Sequence, residues 1–224
     1  MIGGPAPADG GGLAAPGMSR TMVASVGSGP GQFVGRGGEK LRAALDAFRL
    51  DVDGATCADF GCNVGGFTDC LLQRGAAKVY AVDTGYGQLA WRLRVDPRVV
   101  VLERTNALHC PVPEPVDLVV IDVAWTPQER IVPAAGAWLR PGGQIVSLLK
   151  PHYEMAKLRR RKPAAPLKAS QAEGVCLEVC RRLAERGAEV LAVMRCGLPG
   201  KGGNREFFLL AAAARRPPIA DMTS

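Results

Sequence analysis

Short apolar runs alternate with amphipathic stretches through the middle of the chain, and neither end shares that rhythm. Residues 1–32 are mostly Gly, Ala, Pro and Ser and read as a disordered leader. Glu39 to Leu50 sets Leu41, Leu45 and Phe48 on one helical face. Thr56 to Phe60 reads as a strand entering a Gly-rich turn, and Gly66 to Arg74 as a helix ended by Gly75. Lys78 to Val82 is a strand, Gly87 to Val95 helical and Val99 to Leu102 a short strand. Val116 to Val123 is a continuous apolar run, the pattern of a strand buried on both faces. Thr126 to Leu139 reads as a helix, Pro141-Gly142-Gly143 as a turn and Gln144 to Leu149 as another buried strand. Ala169 to Arg186 is a helix, followed by strands at Glu189 to Met194 and Phe207 to Ala213. Roughly seven strands interleaved with helices predict an α/β fold, a doubly wound Rossmann-like sheet with helices on both faces. The folded domain is expected over 33–214, with a tail at 215–224 marked by Pro217-Pro218.

Composition narrows the class. Apolar residues are 47% and charged residues 22%, which excludes global disorder, a coiled coil and a disulfide miniprotein. No apolar run reaches the ~18 residues of a membrane-spanning helix, and no secretory signal precedes the domain. The net charge is +7 and the pI about 9.2, with little of the excess in either flank. Such a charge favours a polyanionic partner, because Lys and Arg replace counterions along phosphates. Seven cysteines, an odd count without a signal, point to reduced thiols in a cytoplasm. Cys176 and Cys180 stand one helical turn apart and should meet. His109 and His152 lie in separate segments without ligand spacing, so no metal site is expected.

The first strand ends in Asp59-Phe60-Gly61-Cys62-Asn63-Val64-Gly65-Gly66-Phe67-Thr68. The spacing Gly-x-x-x-Gly-Gly is neither the pyrophosphate-gripping fingerprint of dinucleotide enzymes nor a P-loop with its Lys-Ser/Thr. A wider turn with an acidic residue before it suits S-adenosylmethionine, which has no phosphate to cradle. Asp59, Gly61, Asn63, Gly65, Gly66 and Phe67 are the candidate turn contacts. Asp83 ends the second strand, where a carboxylate takes ribose hydroxyls. Asn106 follows the third strand, within reach of an adenine.

Asp122 ends the buried fourth strand and Lys150 the fifth. Ligands of such sheets lie outside the carboxyl ends of the strands, so both should face one crevice. Gly202-Gly203-Asn204-Arg205-Glu206 leads into the last strand and can bring Glu206 there as well.

The chain resembles the FtsJ/TlyA type of S-adenosylmethionine-dependent methyltransferase, most closely the TlyA branch. The matching stretches include Arg36-Gly-Gly-Glu-Lys40-Leu41, Asp59 to Leu72, Val79 to Leu89, Arg98 to Asn106 and Ile121-Asp122-Val123. They continue through Leu149-Lys150-Pro151-His152-Tyr153-Glu154 and Gly203-Asn204-Arg205-Glu206-Phe207. The family methylates ribose 2′-hydroxyls of RNA with a Lys-Asp-Lys-Glu tetrad, which falls here on Lys40, Asp122, Lys150 and Glu206. The resemblance implies ribosomal RNA as the acceptor. Lys150 is then the base or the alkoxide stabiliser, Asp122 and Glu206 orient it, and Lys40 positions the nucleotide. Asp122 is also expected beside the cofactor.

The branch usually carries an N-terminal S4 RNA-binding domain. Here the Gly-rich leader precedes Val34, so RNA should be recruited by other groups. Ala124-Trp125 replaces the usual Ser-Phe, and His152-Tyr153 the usual Gln-Phe. A Gly-rich stretch after Glu154 is replaced by Met155 to Lys162, five of whose last six residues are basic. Arg36, Lys157, Arg159, Arg160, Arg161 and Lys162 are the expected phosphate contacts, with Trp125 and Tyr153 as stacking platforms. The alternatives are a small-molecule or protein methyltransferase on the same fold, and a non-enzymatic haemolysin-like protein. No amphipathic or transmembrane element supports a pore.

Overall fold

The computed structural model describes residues 21–23, 33–159 and 166–213. Its elements, in chain order, begin with β1 (Thr21–Val23), α1 (Arg36–Phe48), β2 (Thr56–Phe60), α2 (Gly66–Gln73), β3 (Lys78–Val82), α3 (Trp91–Arg94) and β4 (Val99–Leu102). They continue with β5 (Val116–Ile121), α4 (Gln128–Gly136), β6 (Leu139–Leu149), α5 (Pro151–Arg159), α6 (Ala169–Glu185), β7 (Glu189–Arg195) and β8 (Phe207–Ala212). One sheet runs β1-β7-β8-β6-β5-β2-β3-β4. β8 is antiparallel to both neighbours, β6 and β7, and the other pairings are parallel.

The period-two alternation of a strand buried on both faces sorts the core into two clusters. Cys57, Val79, Leu118, Val120, Val146 and Leu148 point to the side covered by Leu41 and Leu45 of α1 and Leu71 of α2. Ala58, Phe60, Tyr80, Val119, Ile121 and Ile145 point to the side covered by Ile131 and Val132 of α4 and Val179 and Leu183 of α6. Trp138 fills the second cluster and meets Phe60 and Tyr80 edge-on, at ring distances of 5.1 and 6.0 Å.

The seven expected strands are present, and an eighth, β1, lies inside the Gly-rich leader. Thr21-Met22-Val23 is a β-prone triplet set in parallel register against Thr-free β7, from Val193 to Arg195. The rest of the leader and the tail after Ala213 fall outside the described residues. α1 starts at Arg36 rather than Glu39, so the Gly-Gly-Glu-Lys motif forms its first turns. The helix expected over Gly87 to Val95 shrinks to a single turn. α4 stops at Gly136, and β6 begins at Leu139 ahead of the Pro-Gly-Gly turn, whose extra residues shift the register against β5 between Val116 and Leu118. α5 occupies the segment directly after Lys150, where sequence periodicity gave no helix.

Candidate active site

Parallel strands β2, β3, β5 and β6 all deliver their carboxyl ends to the same edge of the sheet. A cavity of about 390 Å³ opens there, a size suited to a small-molecule ligand. Gly61, Asn63, Asp83, Gln88, Asn106, Asp122, Val123, Trp125 and Ile131 are among its lining residues. The lining contains two carboxylates and no Lys, Arg or His. The lining itself offers a pyrophosphate no cation, and its carboxylates suit a ligand that carries positive charge, as the sulfonium and ammonium groups of S-adenosylmethionine do.

The turn after β2 is built by backbone constraints. Gly61 has φ +85, and a Cβ there would meet the Asp122 carbonyl oxygen at 2.7 Å, so the two strand ends can approach only without a side chain. Asn63 follows in the left-handed region at φ 48. Its amide donates to Asp83 Oδ2 at 2.8 Å, and the Gly85 amide donates to Asp83 Oδ1 at 2.7 Å. The Asp83 carboxylate is thus fixed at the cavity wall by two backbone donors. Asn106 is oriented by its own turn, its Oδ1 accepting from the Leu108 amide at 3.0 Å.

Five of the residues expected around the cofactor therefore line the cavity: Gly61, Asn63, Asp83, Asn106 and Asp122. The other four shape the turn from behind. Asp59 is fully buried, and its Oδ2 accepts from the Thr68 amide at 2.9 Å and the Thr68 hydroxyl at 2.7 Å, which caps the start of α2. Burial pushes the Asp59 carboxyl up to about 7, helped by the charges of Asp122 and Asp83 and opposed by the Thr68 bonds. A Cβ on Gly65 would collide with Leu93 and Leu89, and one on Gly66 would press on the backbone of Gly35 to Gly38. These two glycines let helices pack closely. Phe67 belongs to the core and stacks at a tilt on Phe208 with ring centres 6.2 Å apart.

The four residues on which the resemblance sets a tetrad form two acid–lysine pairs. Lys40 Nζ donates to Glu206 Oε2 at 2.5 Å, and both side chains are largely buried. Lys150 Nζ pairs with Asp122 Oδ1. The pairs share a neighbourhood: burial pushes the Cys196 thiol up, and that thiol also feels the charges of Lys40, Glu206 and Asp122. Glu206 is packed so closely against Gly200 that a Cβ on Gly200 would overlap its carboxylate.

The expected RNA contacts divide. Trp125 is 67% exposed on the cavity rim, and its ring lies 5.5 Å from that of Tyr153. Tyr153 in turn stacks at 4.2 Å on His152, whose imidazole is held below its usual range by burial and by Lys150. Arg36 is exposed and donates to the Pro199 carbonyl at 3.1 Å, tying α1 to the β7–β8 loop. Arg160, Arg161 and Lys162 lie outside the described residues, as do the side chains of Lys157 and Arg159. Cys176 and Cys180 are both buried on α6, and each shifts the other's thiol, Cys176 upward and Cys180 downward. Among the described residues no group of three or more His, Cys, Asp and Glu side chains is placed to hold a metal ion.

Gln88, Thr105 and Thr126 also line the cavity, and sequence reasoning did not single them out. A second feature it missed lies behind the rim, where Gln128, Ser147 and Glu154 form a buried polar cluster. Nothing local marks these residues, because their partners come from three separate elements.

The FtsJ-like methyltransferase family matches residues 33–213, the whole of the sheet apart from β1. The 16S/23S rRNA (cytidine-2'-O)-methyltransferase TlyA of Mycobacterium tuberculosis H37Rv is 45% identical over 182 residues, covering 79% of this chain and 67% of that protein. A hemolysin of Lactococcus lactis superposes with a TM-score of 0.75 at 31% identity, covering 82% of this chain and 93% of that one. Aeropyrum pernix fibrillarin, solved with natively bound S-adenosyl-L-methionine, shares the fold at 19% identity and a TM-score of 0.52, over 73% of this chain and 69% of its own. With the family match across the sheet and 45% identity to TlyA, the chain belongs to the FtsJ-like, S-adenosylmethionine-dependent methyltransferases, on the TlyA side of that family.

Proposed function

We propose that the protein methylates a ribose 2′-hydroxyl of ribosomal RNA, with Lys40, Asp122, Lys150 and Glu206 as its catalytic tetrad. One observation carries this reading: Asp122, which lines the cavity, is paired with Lys150, and a second acid–lysine pair joins Lys40 to Glu206. Asp83 would hold the cofactor's ribose, Asn106 its adenine and Asp122 its positively charged end. Bound S-adenosylmethionine supplies an activated methyl group on sulfur.

The acceptor hydroxyl is a weak nucleophile until its proton is removed or polarised. Lys150 would serve this role. Its side chain lies against Asp122 at the end of a buried strand, where the neutral amine would take the hydroxyl proton or, alternatively, the ammonium would stabilise the developing alkoxide. Asp122 holds Lys150 in position. Glu206 does the same for Lys40, whose cation fixes the acceptor nucleotide. Trp125 and Tyr153 offer faces on which an unpaired base can stack, the usual way of holding single-stranded RNA.

The test is transfer of labelled methyl from S-adenosylmethionine to ribosomal RNA, followed by nuclease digestion and mass spectrometry. A 2′-O-methylated nucleotide is expected. A methylated base, or label found only in protein or small molecules, would overturn the reading. Among the described residues, no helix is long and apolar enough to cross a membrane.

A further inference from the structure

Behind the cavity rim, three polar side chains are buried in an otherwise apolar layer: Gln128 at 2% exposure, Ser147 at 1% and Glu154 at 8%. The Ser147 hydroxyl donates to Gln128 Oε1 at 2.6 Å. Gln128 Nε2 donates to the Leu148 carbonyl at 3.4 Å, and the Gln128 amide donates to Glu154 Oε1 at 3.2 Å. The cluster thereby joins the start of α4, the last turns of strand β6 and the first turn of α5. Apolar side chains of the same shape would fill this space without the cost of burying polar atoms, and a fully bonded polar network instead fixes one arrangement.

That arrangement bears on two functional groups. The loop from Asp122 to Pro127 carries Trp125, and α5 meets it at two points, at Trp125 and just past its C-terminal end. Tyr153 lies against Trp125, and Glu154 receives the Gln128 amide. The same turn of α5 is anchored on Lys150, whose carbonyl accepts from the amides of Tyr153 at 2.9 Å and Glu154 at 3.2 Å. Ser147 sits opposite Ile121 in the β5–β6 register, next to Asp122.

We propose that Gln128, Ser147 and Glu154 are positioning residues, a polar latch that holds the Trp125 loop in a fixed relation to Lys150 and so sets where the acceptor nucleotide enters. The kinetic part of this proposal rests on the RNA reading above. The latch touches neither cofactor nor reacting atoms, so its loss should register in RNA engagement and leave cofactor affinity alone.

Gln128→Leu removes both side-chain bonds at similar volume, and Ser147→Ala removes one with little risk to folding. Each should raise the KM for ribosomal RNA, about tenfold or more for Gln128→Leu, which loses two buried hydrogen bonds. The Kd for S-adenosylmethionine should stay unchanged. Glu154→Gln keeps an acceptor oxygen for the Gln128 amide and should stay near wild type. Hydrogen exchange read by mass spectrometry should speed up over 123–128 in Gln128→Leu and not over α1. A lowered melting temperature with unchanged KM and unchanged exchange over 123–128 would overturn the latch and leave the cluster as part of the fold. If the wild-type protein fails to methylate RNA, the RNA reading falls by itself. The latch is then judged on exchange alone, and unchanged exchange in Gln128→Leu overturns it.

Discussion

Lys40 and Glu206, 166 positions apart in the chain, meet at 2.5 Å and tie the first helix of the domain to the residue that leads into its last strand. At 11% and 3% exposure the pair is shielded from water, so removing one partner strands a charge. Glu206→Gln or Lys40→Met alone should cost about 3–5 kcal/mol, whereas the double variant should recover most of that loss. Methyl transfer should not return with it. Thermal melts of the three variants beside the labelled-methyl assay test this. A double variant that regains activity as well as stability would reduce the pair to a structural link.

Lys150 should be the most sensitive single position. Its partner is Asp122, and its backbone starts α5. Lys150→Ala should lower methyl transfer by about 10²–10⁴-fold, the usual worth of a positioned acid or base. Lys150→Arg should fare little better, since a guanidinium keeps its proton and its planar fork does not replace a compact ammonium. Calorimetric titration with S-adenosylmethionine should give near-normal affinity in both. Near-normal turnover in Lys150→Ala would remove this residue from the chemistry.

Much of this was legible in the sequence. Val116 to Ile121 and Gln144 to Leu149 are apolar but for Asp117, Gln144 and Ser147, because both of their faces are covered, and such runs end where the sheet presents ligands. That rule alone placed Asp122 and Lys150 together. The Gly65-Gly66 pair shows where local reading stops. Its glycines resemble a cofactor cradle, yet the space above them is filled by Leu89, Leu93 and the backbone of α1. Asp59 is similar: an acidic residue before a glycine turn reads as a ligand contact, and its partner is Thr68. Close helix packing and buried capping depend on neighbours distant in the chain, which no window of sequence contains. The latch residues escaped for the same reason.

Asp83 offers a clean test of the cavity. Two backbone amides fix its carboxylate, so Asp83→Ala both removes a hydroxyl acceptor and leaves the Asn63 and Gly85 amides without partners. Affinity for S-adenosylmethionine should fall by about 1–3 kcal/mol. NADH should not compete at any useful concentration, because the lining has two carboxylates and no cation to meet a pyrophosphate. Measurable displacement by NADH in a fluorescence titration would reverse the cofactor assignment.

The cysteines should discriminate sharply in a thiol titration. Burial pushes Cys57 and Cys70 up to about 12 and raises Cys62 and Cys110 as well, while Cys176 lowers Cys180. Cys110 is the one cysteine that is not buried, so access should decide the order: Cys110 is alkylated first at pH 8, and the other six require denaturant. Rapid modification of Cys196 in the native protein would mean that the tetrad region opens more than its packing indicates.

Asp59 should leave a signature in the pH dependence of stability. Its carboxyl is raised from 3.8 to about 7 in the folded protein, chiefly by burial. Between those values the native state holds a proton that the unfolded chain has released. Stability from this group is therefore fully present below about pH 4 and lost as pH rises toward 7, the reverse of a salt-bridged carboxylate. The loss amounts to at most about 4 kcal/mol. Asp59→Asn keeps an oxygen to accept from the Thr68 amide and cannot ionise, so its stability should not fall over that range. Chemical denaturation at pH 5, 6, 7 and 8 compares the two proteins directly. The wild type should lose stability relative to the variant with each step up to pH 7 and run parallel to it beyond. Curves parallel from pH 5 onward would mean that Asp59 is already ionised in the fold, held by Thr68 against the cost of burial.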